Sequence, residues 1–298
     1  MRRSLLFIPS NNPGMLQNAD VFGSDSVIFD LEDAVNVTEK DNARNLLYYY
    51  LQEHSNLNME VVVRINGLDT DYYKDDLEMI VSDNIDSIML PKARVKELKE
   101  LDSLLTELEE RKKLTKRIKV LPIIELAISV LEVDEIASLP RIDGILLGAE
   151  DLSSDLEVER TKEGKEIEYA RCKVAMACKA YQIDAIDTPF TDVNDNEGLK
   201  KDCLNCKVLG MNAKAAIHPN QIDIINDSFY QERLNKTISK ENYGMHNPMF
   251  LDDNGNINIV AKIYKMAGGE APYSEIIIVK YIKSKENIFS QLILFLFN

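Results

Sequence analysis

Long hydrophobic runs are missing from this 298-residue sequence. The longest uninterrupted apolar stretch, Leu292 to Phe297, is six residues, well short of the roughly 18 that a membrane-spanning helix needs. At the other end, the apolar residues after Arg2 and Arg3 stop at Pro9-Ser10-Asn11-Asn12, too early for a secretory leader, so a cytoplasmic location is expected. Positive charge is scarce as well. The 35 Lys+Arg face 50 Asp+Glu, a net charge of −15, and that field repels phosphate backbones and anionic lipid, so neither nucleic acid nor membrane is expected as a partner. With only 12 glycines and 9 prolines against 45% hydrophobic residues, disorder and low-complexity linkers are excluded.

Four cysteines (Cys172, Cys178, Cys203 and Cys206) are too few for a disulfide framework in a chain of this length and fit reduced thiols. Cys203-x-x-Cys206 lies inside the amphipathic run Glu197 to Val208, and Cys172 with Cys178 does not supply a second ligand pair, so no zinc or redox centre is expected. The three histidines, His54, His218 and His246, are far apart, and neither a Gly-x-Ser-x-Gly elbow nor a phosphate loop occurs. His218, just before Pro219, is expected to order a loop.

What the chain does contain is alternation. Eight short β-rich apolar runs stand at Leu5 to Pro9, Val27 to Asp30, Val61 to Ile65, Ser87 to Pro91, Val120 to Ile124, Gly144 to Leu147, Asp184 to Asp187 and Ala213 to Ile217. Helical periodicity fills the gaps: Thr38 to His54, with Thr38 as the expected N-cap, then Tyr72 to Ser82, Val95 to Lys113, Ala127 to Ala137, Lys165 to Tyr181, Asn194 to Val208 and Pro219 to Phe229. Eight strand-helix repeats without a glycine-rich first turn predict a (β/α)8 TIM barrel over residues 1–230. Residues 231–298 are expected to form a helical or irregular C-terminal extension that packs on the barrel or on a neighbouring subunit.

Barrel enzymes gather their chemistry at the C-terminal ends of the strands. Here those ends carry Asp30-Leu31-Glu32-Asp33, Arg64, Lys92, Glu125, Glu150-Asp151, Asp187 and Lys214. Converging carboxylates with one arginine and a few lysines suit a hard divalent cation and an anionic substrate, because oxygen ligands favour Mg²⁺ and guanidinium grips carboxylates. A single acid such as Asp187 often only caps a helix. Glu125 is different, since it ends the run Val120 to Ile124 and an unpaired buried carboxylate there would be costly. Asp151 follows a glycine-flanked strand, and Arg64 closes Val61-Val62-Val63 so as to point across the mouth or into a core ion pair.

In order and spacing, Pro9-Ser10-Asn11-Asn12-Pro13, Phe29-Asp30-Leu31-Glu32-Asp33-Ala34-Val35, Val63-Arg64-Ile65-Asn66-Gly67, Leu90-Pro91-Lys92, Ile124-Glu125, Leu147-Gly148-Ala149-Glu150-Asp151-Leu152, Ala185-Ile186-Asp187-Thr188 and Lys214-Ala215-Ala216-Ile217-His218-Pro219 form a set. Over about residues 1 to 226 it resembles the citrate lyase β subunits of the HpcH/HpaI aldolase group. The resemblance implies a Mg²⁺-binding barrel, usually a homotrimer. Such an enzyme cleaves a citryl thioester, carried on an acyl carrier protein or coenzyme A, to oxaloacetate and an acetyl thioester, in company with other citrate lyase subunits. It places the metal ligands at Glu125 and Asp151 and substrate contacts at Arg64 and Glu125; Lys92 and Lys214 add cations for the anionic substrate. Arg64 would stabilise the enolate, and the base would be Asp30, Glu32 or Asp33, or a water on the metal. Malyl or citramalyl thioester cleavage, thioester hydrolysis and a non-catalytic acyl-thioester-binding role are the alternatives. In these proteins a C-terminal segment brings an Asp to the next subunit's site. Asn258 stands in its place here, with Asp252 and Asp253 nearby, and an amide cannot shuttle a proton.

Overall fold

The computed structural model describes residues 2–55, 57–229, 250–251, 257–263 and 275–280. Eight parallel strands close into a barrel in sequence order, β1 (Ser4–Pro9), β2 (Ser26–Asp30), β3 (Glu60–Arg64), β4 (Ser87–Leu90), β5 (Lys119–Ile124), β6 (Gly144–Leu147), β7 (Asp184–Asp187) and β8 (Ala213–Ala216), with β8 pairing back onto β1. Each expected strand is present to within one residue at either end. Strands such as Val61-Val62-Val63 are buried on both faces, as a parallel sheet covered by helices requires, and β-branched side chains suit that setting.

The outer layer comprises α1 (Pro13–Gln17), α2 (Lys40–Glu53), α3 (Tyr73–Ile80), α4 (Val95–Lys112), α5 (Ala127–Ser138), α6 (Ala149–Asp155), α7 (Glu168–Tyr181) and α8 (Asn196–Val208), followed by a helix at 222–229. The helix expected from Thr38 starts instead as a 3₁₀ turn, Val37–Glu39, capped by Asn36, whose Oδ1 accepts from the Thr38 amide at 3.0 Å. At the lower end Arg2 ties β1 to the rest of the barrel, donating to Glu60 at 2.5 Å, Asp143 at 2.6 Å and Asp184 at 3.1 Å.

Two layers of side chains fill the fold, and strand parity decides which residue joins which. Leu5, Ile28, Val62, Met89, Leu121, Ile123, Leu146, Ile186, Ala213 and Ala215 pack inside the barrel. Their neighbours, among them Leu6, Phe29, Val63, Ile88 and Leu147, pack outward against the helices. Two residues beyond the inner layer the same inward face reaches Asp30, Arg64, Glu125, Gly148 and Thr188. Asp187 and Lys214 are out of phase and face the helices.

Residues 230–298 form a separate unit. The extension expected as helical or irregular carries a three-stranded antiparallel sheet, β9 (Phe250–Leu251), β10 (Ile257–Ile263) and β11 (Glu275–Lys280), in the order β11-β10-β9. The β-branched runs Ile257-Asn258-Ile259-Val260 and Ile276-Ile277-Ile278-Val279 account for the difference. Asn258 lies in β10, in register with Lys280 and Phe250. Asp252, Asp253, His246 and the tail from Leu292 lie outside the described residues.

Candidate active site

Asp30 is the fixed point of the mouth. At 1% exposure it has all its acceptor capacity engaged: Arg64 Nε and Nη2 donate to its two oxygens at 2.7 and 2.5 Å, and the amides of Glu32 and Ala34 donate at 2.8 and 3.1 Å. A carboxylate so fully engaged does not serve as a base. Its role is to orient Arg64, whose guanidinium also lies 5.0 Å from the Phe7 ring centre. Arg64 Nη1 then stands 3.0 Å from Glu32 and 3.8 Å from Asp33. Glu32 is half enclosed, and burial pushes its carboxyl up to about 7 against the pull of Arg64, with Asp33 and Asp30 adding to the rise. Asp33, with a side chain 67% exposed, sits at the rim. Glu32 is enclosed, keeps acceptor capacity that Asp30 has already used, and has a proton affinity near neutrality, which suits a base.

Across the mouth, Glu125 is 4% exposed. Its Oε1 accepts from the Lys92 amide at 2.5 Å. Lys92 is a non-glycine residue with φ 48°, a left-handed conformation that is uncommon and concentrated at functional sites. Thus Lys92, expected as a substrate-binding ammonium, contacts the site through its backbone, while its side chain is exposed. Burial pushes Glu125 up to about 8; the Lys92 amide opposes this, and Asp151 and Glu32 add to it. Asp151 lies in the first turn of α6, immediately beyond Gly148. No hydrogen bond or ion pair with any described residue occupies its carboxylate.

Do these residues fit a divalent cation? Glu125, whose proton affinity is raised by burial and by the nearby Asp151 and Glu32, is short of positive charge, which a cation would supply. The backbone also makes room. A Cβ at position 148 would lie 2.7 Å from Glu125 Oε2 and 2.8 Å from both Glu125 Cβ and Ile123 Cγ2, so glycine is what allows the Glu125 side chain its place. No three His, Cys, Asp or Glu side chains among the described residues converge tightly enough to hold a metal by themselves. Two carboxylates with no His or Cys partner among the described residues, leaving the other positions to water and substrate, are a donor set that suits Mg²⁺ better than zinc. Gly148→Ala should displace Glu125 and weaken Mg²⁺ binding by about 10- to 100-fold, as loss of an orienting contact around a metal site does; isothermal calorimetry measures it.

The raised carboxyl has a thermodynamic signature. Because Glu125 is raised from an ordinary 4.5 to about 8, the folded protein without metal binds a proton that the unfolded chain releases. Its contribution to stability is therefore fully present at low pH and lost as pH rises between those values. A cation that replaces the proton reverses the trend, so the Mg²⁺-induced increase in melting temperature should be larger at pH 8.5 than at pH 6, as read by calorimetric unfolding at fixed Mg²⁺.

Lys214 does not join the mouth. At 0% exposure its Nζ donates to Asp187 at 2.6 Å, Asp202 at 2.7 Å and the Thr188 carbonyl at 2.7 Å, while Arg171 donates to the same two acids. Two cations and two anions balance between β7, β8, α7 and α8. The expected substrate role is corrected for the reason given by parity: Ala213 and Ala215 point inward, so Lys214 cannot. Lys214→Met leaves Asp187 and Asp202 short of a partner and should destabilise the fold by about 3–5 kcal/mol, read as a lower urea midpoint.

A cavity of about 830 Å³ opens at the opposite, N-terminal end, lined by Arg2, Glu60, Asp143 and Asp184 among others. The three acids already pair with Arg2. The mouth, where Glu32 and Glu125 are perturbed beside Arg64, is therefore the candidate site.

Barrel and mouth define a (β/α)8 protein with an acidic centre suited to a cation at the C-terminal ends of its strands. The chain belongs to the HpcH/HpaI aldolase/citrate lyase family, whose model matches residues 3–219, and it is a carbon–carbon lyase. The citrate lyase subunit beta of Leuconostoc mesenteroides subsp. cremoris is 42% identical over 229 residues, 76% of each chain. A (3S)-malyl-CoA thioesterase of Cereibacter sphaeroides is 31% identical over 228 residues, again 76% of each. Among solved structures, the citrate lyase beta subunit of M. tuberculosis complexed with oxaloacetate and magnesium matches with TM-score 0.65 and 28% identity, covering 76% of this chain and 96% of that one.

Sequence reasoning missed two contributors, the Lys92 amide and the collision that demands Gly148. The glycine was visible as a flank of the strand. The left-handed backbone at Lys92 had no sequence signal.

Proposed function

We propose that this chain is a Mg²⁺-dependent lyase that converts a citryl thioester, on coenzyme A or an acyl carrier protein, to oxaloacetate and the acetyl thioester. The observation that carries this is the buried Glu125, raised to about 8 beside Asp151 and facing the mouth that also holds Arg64. Glu125 and Asp151 would hold the ion, which when bound supplies Lewis-acid polarisation of the substrate's oxygens. The rest of the work falls to the chain. Glu32, titrating near 7, takes the proton of the tertiary hydroxyl. The bond between the carbinol carbon and the methylene then breaks, its electron pair passing to the thioester as an enolate while the carbinol becomes the 2-oxo acid's carbonyl. Arg64, immobilised by Asp30, presents its remaining donors to the enolate oxygen without reorganising during the reaction. The proton lost from the hydroxyl balances the one gained by the enolate carbon.

The likeness to a malyl-CoA thioesterase supports a second reading, hydrolysis of a malyl thioester, and the products separate the two. Given citryl-coenzyme A, the lyase releases oxaloacetate and acetyl-coenzyme A with no free thiol. Given malyl-coenzyme A, a thioesterase releases free coenzyme A. Free thiol from malyl-coenzyme A together with silence on citryl thioesters would overturn the lyase reading. Assembly as a cytoplasmic homotrimer with other citrate lyase subunits is the arrangement we propose on the strength of the resemblance, and sedimentation of the purified chain tests the trimer.

A further inference from the structure

Lys40 stands in a place where a cation costs energy. It is the first residue of α2, at the positive end of the helix dipole, and it is 7% exposed. Many uncharged residues would start a helix there at no such cost. What the ammonium adds is a pair of hydrogen bonds: Nζ donates to the Leu31 carbonyl at 2.8 Å and to the Glu32 carbonyl at 2.7 Å. From the opposite side Asp30 accepts from the amides of Glu32 and Ala34. The backbone of residue 32 is thus held at its N–H by one charged group and at its C=O by another, and the side chain it carries meets Arg64 at 3.0 Å. One helical turn further along α2, Arg44 does the equivalent for the next loop. Its Nε donates to Asp76 at 2.8 Å, and Asp76 accepts from the Asn66 amide and side chain at 3.0 and 2.7 Å, two residues beyond Arg64.

We propose that Lys40 is a positioning residue: its ammonium closes the β2–α2 loop on the carbonyls of Leu31 and Glu32 and thereby sets the Glu32 carboxylate against Arg64. The inference rests on the reading of Glu32 as the base of the lyase reaction. With its ammonium held by the two loop carbonyls, Lys40 acts through the loop.

The test compares Lys40→Met, and Lys40→Gln as a milder variant that keeps an uncharged N–H donor group, with the wild-type full-length chain. Three quantities are read: steady-state kinetics on citryl-coenzyme A, Mg²⁺ affinity by calorimetry, and amide hydrogen exchange of residues 31–35. The expected result for Lys40→Met is a kcat lower by about 100-fold, the scale of a small misplacement of a reacting group, with KM and Mg²⁺ affinity unchanged and faster exchange at Glu32 and Ala34. Lys40→Gln should fall between, and it carries the comparison if Lys40→Met does not fold. Unaltered exchange at residues 32 and 34, a wild-type kcat, or a loss of Mg²⁺ affinity in step with kcat would overturn the proposal. A wild-type chain inactive on every citryl thioester would instead refute the lyase reading, and the exchange comparison would still decide whether Lys40 holds the loop.

Discussion

Glu125→Gln is expected to abolish Mg²⁺ binding and to lower turnover by at least about 1000-fold, the equivalent of about 4 kcal/mol of lost Lewis-acid stabilisation. The protein should nevertheless fold as well as wild type. A carboxyl held at about 8 is mostly protonated at neutral pH when no cation is present, so the amide reproduces in shape and charge the state that the metal-free protein already adopts. The Lys92 amide keeps an oxygen to donate to. Asp151→Asn should act in the same direction. Calorimetry with Mg²⁺, together with product release, checks both variants. Turnover that survives in either variant, or in excess chelator, would remove the metal from these two residues.

Arg64→Lys should lower kcat/KM by about 100- to 1000-fold while leaving Mg²⁺ affinity unchanged. The reason is geometric. Asp30 takes Nε and one Nη2 donor of the guanidinium, and the planar fork then fixes the direction of the donors that remain. An ammonium satisfies the buried Asp30 as a point charge but cannot at the same time direct a second donor into the mouth. Because Asp30 also holds the Glu32 amide, part of the loss should appear as a shift in the limb of the pH–rate profile that reports the base. Unchanged kcat/KM in Arg64→Lys would mean that charge alone is sufficient at this position.

The barrel was legible because parallel strands buried on both faces must be nearly continuous in β-branched and aliphatic residues, and because Gly148 and Pro91 punctuate them. Glu125 was legible for a related reason, since a carboxylate that ends such a run needs a partner. Lys214 was misread by a rule that considers only which residue ends a strand. The parity of Ala213-Lys214-Ala215 holds the correction, and applying period two to every strand end would have separated Lys214 and Asp187 from Asp30, Arg64 and Glu125. The seven-residue α6 and five-residue α1 were not foreseen, because fewer than two turns show no periodicity. Lys40 lay beyond reach for another reason. Its meaning comes from two carbonyls in a loop that only the folded chain brings to its ammonium, and nothing in Thr38-Glu39-Lys40-Asp41 distinguishes it from a solvated helix start.

The most direct test of the central claim is the release of oxaloacetate from citryl-coenzyme A by the purified chain, with and without Mg²⁺, beside Glu125→Gln. The account predicts metal-dependent release by the wild type, stoichiometric with acetyl-coenzyme A, and none from the variant. Release that persists without Mg²⁺ or in Glu125→Gln, or its absence from the wild type on both coenzyme A and carrier-protein thioesters, would contradict it.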